Sequence, residues 1–252
     1  EELANKEMFL VGGSADLEPS NVTGGFASIV KDFSSKNPSG LNLAYGVREF
    51  PMGVINNGIA QHGGLFPFGA TFFVFADYER PAIRLRALQG LPCISEYTHD
   101  SIYVGEDGPT HQPIEHLMSY RNIPNLLVLR PADANEAVVA SKIAFEQKNR
   151  PSLVLLTRQS VPVIDRDEYA HFSNIEKGGY IISDCDKPDI LIFATGSEVW
   201  VALEVKKLLL NDFNVKVVNL CCWELFEEQD SNYKKSVLKC ESKTLLVSIE
   251  SG

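Results

Sequence analysis

Short apolar runs recur along this chain, separated by amphipathic stretches, and that alternation restricts the fold more than any other feature. Runs at 8–12, 71–75, 91–97, 125–129 and 152–156 are each bounded by Gly, Pro or polar residues and read as strands. Continuously apolar strands of this length belong in a parallel sheet covered on both faces. The intervening 51–62, 77–89, 112–121 and 134–147 read as the helices that supply the cover, giving an α/β fold with a mostly parallel sheet flanked by helices. Asp133 and Glu136 form a capping box at the start of the last helix, and Pro51 suits a first helical turn, where its missing donor is harmless. Between 160 and 177 the pattern lapses into a polar linker around Asp165-Arg166-Asp167-Glu168-Tyr169. A second α/β pattern follows, with strand 189–194, turn Thr195-Gly196, helix 197–211 and strands 215–221 and 243–249. In that helix Val199, Leu203 and Leu210 share a face at helical spacing, the face expected to pack on the sheet. The expected division is a first domain at 1–160, a linker at 161–177 and a partial second domain at 178–252.

With 252 residues, 44% of them hydrophobic, the chain can bury one large core or two small ones. A net charge of −10 argues against nucleic acid or an anionic membrane as partner, since both require a basic face. The five cysteines lack C-x-x-C spacing and sit mostly inside apolar runs, so they read as reduced core residues of a cytoplasmic protein. No apolar run approaches the ~18 residues of a membrane span, and the acidic start Glu1-Glu2 does not suit a signal peptide. The chain lacks an initiator Met and stops just after an apolar run, so both ends read as cut.

Chemistry-bearing residues concentrate in the stretch from Thr98 to Pro113, Thr-His-Asp-Ser-Ile-Tyr-Val-Gly-Glu-Asp-Gly-Pro-Thr-His-Gln-Pro. His99 and His111 can move protons, Glu106 and Asp107 can accept hydrogen bonds, and Gly105 and Gly108 let backbone approach closely. That mixture suits a loop binding a polyhydroxylated, anionic small molecule. Further candidates follow the predicted strands. Gly12-Gly13-Ser14-Ala15-Asp16 is a glycine turn at a sheet edge, which an ordinary turn would also explain. Glu49 lies among Val47, Phe50 and Met52, where burial would raise its pKa; a salt bridge or a helix N-terminus would lower it instead. Phe72, Phe75 and Tyr78 recur at spacing three, as a core stripe also does. Arg158 ends a strand, where a solvated Arg is also ordinary. Ala194-Thr195-Gly196-Ser197-Glu198 reads as a capped strand–turn–helix rather than a ligand loop.

The long loop resembles the transketolase pattern T-H-D-S-I-G-x-G-E-D-G-P-T-H-Q-P, departing from it at Tyr103, where the family has Gly. The segments from Gly12 to Asn21 and from Arg48 to Phe50 are similar to that family's G-G-S-A-D-L-x-P-S-N and R-E-F/H motifs, and Arg158-Gln159 to its S-R-Q-N. The resemblance implies ketol transfer from a ketose phosphate to an aldose phosphate, a step of the pentose phosphate pathway, using thiamine diphosphate and Mg²⁺ or Ca²⁺ at a homodimer interface. It implies that Glu49 bonds N1′ of the aminopyrimidine, that Phe72, Phe75 and Tyr78 enclose that ring, and that Asp16 lies close to it. It assigns Ser20 and Arg158 to the substrate phosphate, His99 to the phosphate end or an adjoining hydroxyl, Asp107 to the 2-hydroxyl, and His111 to proton transfer near the reacting carbon. No Gly-Asp-Gly occurs in the chain, so the resemblance covers the family's pyrimidine-binding domain and the start of its C-terminal domain. The metal–diphosphate ligands would belong to the N-terminal domain of a parent enzyme, no metal ligands are expected here, and the chain alone is expected to be inactive. The alternatives are a non-catalytic half-subunit or inactive paralogue acting as an interaction module, and a related dihydroxyacetone synthase or deoxyxylulose-phosphate synthase.

Overall fold

A computed structural model describes residues 9–251. Its strands are β1 (Leu10–Ser14), β2 (Phe66–Phe72), β3 (Ile94–Thr98), β4 (Leu127–Leu129), β5 (Ser152–Leu155), β6 (Tyr180–Ser183), β7 (Ile190–Ala194), β8 (Val215–Asn219) and β9 (Leu245–Ile249). Two compact units divide them, one formed by residues up to 126 with 144–158, the other by 127–143 with 159–251.

In the first unit β1, β2, β3 and β5 pair in that order, all parallel. Their registers align Ser14 with Ala70, Phe72 with Thr98, and Tyr97 with Leu155. The segments that follow these strands therefore share one sheet edge, the carboxyl edge at which open α/β sheets hold ligands. The strand expected at 71–75 instead spans Phe66–Phe72 and closes in a 3₁₀ turn, Phe73–Phe75. Pro67 and Gly69, ordinarily strand breakers, hid its true start. Gly69 is required by packing, since a Cβ there would lie 2.8 Å from the side chains of Asn56 and Met52.

The helix expected from 51 begins at Glu49 and ends at His62, which leaves Pro51 inside the first turn. The helix expected at 112–121 is shorter, His116–Arg121, because Pro113 lies in its path and Pro109–His111 makes a separate 3₁₀ turn. Beneath the sheet edge, helix Glu49–His62 packs on helix Ala76–Gln89 around a buried ion pair. Arg86 Nη2 lies 2.5 Å from Glu79 Oε1, and the guanidinium also donates to Asn57 Oδ1, Ser95 Oγ and the Gly53 carbonyl.

The second unit has the sheet order β6-β8-β7-β9, antiparallel at β6 and parallel elsewhere. Its core gathers Leu191, Val218, Phe226 and Val237. The helix runs Glu198–Leu209, with Val199 and Leu203 buried, but Leu210 is 69% exposed because the helix has ended. Residues of the polar stretch fold into this unit: Ile164, Tyr169 and Ile175 are buried, and Arg166 reaches Asp133 Oδ2 at 3.1 Å. Asp133 accepts from the Glu136 amide at 2.9 Å, while the Glu136 carboxylate accepts from Ala132 N and from the Tyr180 hydroxyl at 2.5 Å. Among the described residues no helix is long and apolar enough to cross a membrane, and all five cysteines are free.

Candidate active site

After β1 the chain turns sharply, with Asp16 and Leu17 both in the left-handed region at φ of 59° and 53°. Such conformations cost energy in non-glycine residues and gather at functional sites. They open a cleft of about 580 Å³ at the carboxyl edge, lined by Asp16, Val47, Glu49, Phe75, Tyr78 and His111 among others. The sequence candidates Glu49, Asp16, Phe75, Tyr78 and His111 thus come together on one set of walls.

Glu49 opens its helix with its side chain largely sealed from solvent. Burial raises its carboxyl pKa above the ordinary range, and the carboxylates of Glu79 and Asp16 push the same way. A backbone hydrogen bond pulls downward and loses. The neighbouring Arg48 turns Nη1 to the Tyr45 carbonyl at 2.9 Å, and no cation among the described residues pairs with Glu49. Of the two possibilities open in the sequence, burial wins over the salt bridge.

The three aromatics divide. Phe72 is buried and lies outside the cleft lining, stacking on the His99 imidazole with centroids 3.6 Å apart and facing Phe75 at 6.1 Å. Phe75 and Tyr78 line the cleft, and Phe75 meets the edge of His111 at 5.4 Å. His99 is buried with φ +59°, its Nδ1 2.9 Å from Thr98 Oγ1. Burial lowers its pKa, Asp107 opposes that, and Arg158 and His111 reinforce it. These influences mark Asp107, Arg158 and His111 as its electrostatic neighbours.

Gly105 and Gly108 bend the loop at φ of 78° and 84°, and nothing crowds either position, so backbone conformation alone demands glycine. Tyr103 is about half exposed on this loop. Asp107 is exposed, and Arg158 is paired with Glu106 at 3.4 Å. Ser20 is exposed on the short helix Glu18–Asn21, away from the cleft lining. Two groups of residues escaped the sequence reading: the Glu79–Arg86 pair behind Glu49, and the polar side chains Ser14, Asn21 and Thr98 that lead to His99. Glu79 and Arg86 look in sequence like ordinary helical residues, and although Ser14, Asn21 and Thr98 lie inside the quoted motifs, only the packing joins them to one another.

The family description "Transketolase, pyrimidine binding domain" matches residues 1–163, and "Transketolase-like TK C-terminal domain" matches 178–252. The chain belongs to the transketolase family. The transketolase of Aquifex aeolicus is 52% identical over 248 residues, 96% of this chain and 35% of that protein. The transketolase of Bacillus subtilis is 48% identical over 253 residues, 99% of this chain and 38% of that protein. The chain therefore spans about a third of the length of these relatives. Among solved structures, transketolase from Leishmania mexicana superposes with a TM-score of 0.93 at 39% identity, over 98% of this chain and 36% of that one. A Pichia stipitis transketolase in complex with sedoheptulose 7-phosphate gives 0.89 at 43% identity, over 96% of this chain and 36% of that one. A split-gene transketolase described as an inactive β4 tetramer gives 0.72 at 25% identity, over 99% of this chain and 75% of that one. The α/β fold is thus that of the transketolase family, and the cleft-lining residues lie within the stretch that the pyrimidine-binding description matches.

Proposed function

We propose that this chain supplies the pyrimidine-binding and sugar-binding side of a thiamine diphosphate-dependent transketolase, which moves a two-carbon ketol unit from a ketose phosphate to an aldose phosphate. The carrying observation is Glu49, an acid whose pKa burial raises above the ordinary carboxyl range, on the wall of a cleft whose other walls include Phe75 and Tyr78. A flat aminopyrimidine fits such a site, because it needs an acid toward one ring nitrogen and aromatic surface along its faces. When bound, thiamine diphosphate supplies the carbanion-stabilising thiazolium. Glu49 holds the proton that the pyrimidine shares, and Asp16, beside it, keeps that proton in place through its charge. His99 and His111 hold or move protons at sugar hydroxyls, Asp107 accepts from the 2-hydroxyl, and Ser20 and Arg158 take the phosphate. Arg158 exchanges its exposed Glu106 partner for that phosphate, a forked contact that guanidinium geometry favours.

With no Gly-Asp-Gly segment in this chain, we assign the diphosphate and its Mg²⁺ or Ca²⁺ to an N-terminal domain of the parent enzyme, across a homodimer interface. The free cysteines, three of them buried, favour a cytoplasmic setting. The likeness to a split-gene transketolase favours a second arrangement, in which a half-length subunit pairs with a separate diphosphate-binding chain. Both arrangements require a second polypeptide segment to complete the site.

Calorimetry with thiamine diphosphate and Mg²⁺, run beside a ketol-transfer assay, tests the reading. The chain alone is expected to bind weakly and transfer nothing, since an unclamped diphosphate keeps its water at a heavy desolvation cost. Adding the diphosphate-binding domain is expected to bring both binding and transfer. Tight binding with transfer by the chain alone, or no transfer after the addition, overturns it. In the assembled enzyme, Arg158→Ala and Ser20→Ala are expected to raise KM for phosphorylated ketoses roughly 10–150-fold, the worth of a charge-assisted contact of ~1.5–3 kcal/mol. Hydroxypyruvate, a donor without phosphate, should be almost unaffected; equal damage to both donors assigns these residues to structure instead.

A further inference from the structure

From the carbonyl of Ala70 to the imidazole of His99 runs an unbroken line of buried polar side chains: Ser14, Asn21, Thr98, His99. We infer that Ser14, Asn21 and Thr98 form a one-directional hydrogen-bond relay that fixes the neutral His99 ring with its proton on Nδ1 and leaves Nε2 as a bare acceptor. They act as positioning residues for His99 rather than as groups that touch substrate.

The direction follows from counting donors. The Ser14 hydroxyl lies against two backbone carbonyls, Asp16 O and, at 3.2 Å, Ala70 O. A carbonyl only accepts, so the single Ser14 proton is committed there. The Ser14 oxygen must then accept, and it does so from Asn21 Nδ2 at 2.7 Å. That turns Asn21 Oδ1 toward Thr98, whose hydroxyl donates to it at 2.7 Å. With its only proton spent, Thr98 Oγ1 can only accept from His99 Nδ1, 2.9 Å away. The reverse direction would turn Asn21 over and point the lone pairs of Ser14 Oγ at both carbonyl oxygens. The Ala70 carbonyl would keep the Ala15 amide at 2.9 Å, but the Asp16 carbonyl oxygen would then face an oxygen lone pair where the Ser14 proton belongs, and that repulsion decides the direction.

The other ring nitrogen, Nε2, bonds no group among the described residues and is not sealed from solvent. Phe72 stacked on the ring face and the left-handed backbone at residue 99 hold the imidazole plane. Nε2 is thus presented as a base or an acceptor for a hydroxyl, and never as a donor while the ring is neutral. Its use on a sugar hydroxyl rests on the ketol-transfer reading. The relay itself does not.

The test is the tautomer of His99 in the ¹⁵N-histidine-labelled chain, read from long-range ¹H–¹⁵N correlations at about pH 8, above the ordinary imidazole value of ~6.5. Neither sugar nor cofactor is present, so the result is independent of the proposed activity. Loss of the His99→Gln signal assigns the resonance. The wild-type chain is expected to show Nδ1 protonated and Nε2 bare. Asn21→Asp, which keeps an acceptor facing Thr98, should preserve that state. Thr98→Val and Asn21→Leu should shift the tautomer ratio roughly 5–10-fold toward Nε2–H, the worth of one net hydrogen bond. Nε2–H in the wild-type chain, or an unchanged ratio in a folded Thr98→Val or Asn21→Leu chain, overturns the relay.

Discussion

Glu49→Gln is expected to cut ketol transfer by the assembled enzyme at least ~10²-fold, the usual cost of losing an essential proton relay, while making this chain harder to unfold. The two effects share one cause. Burial raises the carboxyl pKa of Glu49 from its ordinary 4.5, so the folded chain resists the charged form. A group whose folded pKa lies above its unfolded value contributes its full stability below the unfolded value. That contribution is lost as pH rises through the folded value. At neutral pH the ionised carboxylate therefore works against the fold, and glutamine, which cannot ionise, removes the penalty. The first-turn position of Glu49 favours a negative charge by ~0.3–1 kcal/mol, but the net shift is upward, so burial prevails. Thermal unfolding should show the variant and wild type nearly matched at about pH 4, with the variant's Tm higher at about pH 8 by the linkage just given. Retention of more than about a tenth of the wild-type rate refutes the proton-holding role, and a lower Tm at the higher pH refutes the burial argument.

How far the sequence could be read is clearest at particular residues. The α/β layering was legible because β4, β5, β7 and β8 are largely apolar runs between turn residues. The second strand was misplaced because its first half contains Pro67 and Gly69, which local propensity disfavours, although helix packing requires Gly69. Leu210 matched the spacing of its helix face but lay beyond the helix end, which periodicity cannot locate. At the site, the loop from Thr98 to Pro113 declared its chemistry through residue types that a core does not hold, and His111 does face the cleft. Phe72 shows the limit of spacing: it shares a period with Phe75 and Tyr78 and stacks on Phe75, yet it packs under His99 and does not line the cleft. Asn21 and Thr98 lie 77 residues apart in sequence, and only the parallel register of β1, β2 and β3 brings them together.

Glu79→Ala is expected to destabilise the first unit by ~3–5 kcal/mol, the cost of removing one partner of a buried ion pair. Both side chains of the Glu79–Arg86 pair are fully buried. Without Glu79, Arg86 keeps hydrogen bonds to Asn57, Ser95 and the Gly53 carbonyl, but all are neutral acceptors and its charge stays in the interior without a counterion. The Tyr97 hydroxyl loses its acceptor as well, since it donates to Glu79 Oε2 at 2.6 Å. Replacing the pair together, as Glu79→Leu with Arg86→Met, should cost far less, because no charge is then stranded. Urea unfolding of the chain, followed by a probe in the first unit, measures both changes. A loss below about 1 kcal/mol for Glu79→Ala would mean that water reaches Arg86 and that the interior is not sealed as described. The consequence extends to the cleft. Arg86 Nη2 holds the Gly53 carbonyl at 3.2 Å, one turn along the helix from Glu49, and Glu79 packs against Gly53 so closely that a Cβ there would meet its Cγ at 2.7 Å. The helix that presents the acid is thus set by a charge pair buried behind it, and a variant that strands Arg86 should loosen Glu49 before the unit unfolds.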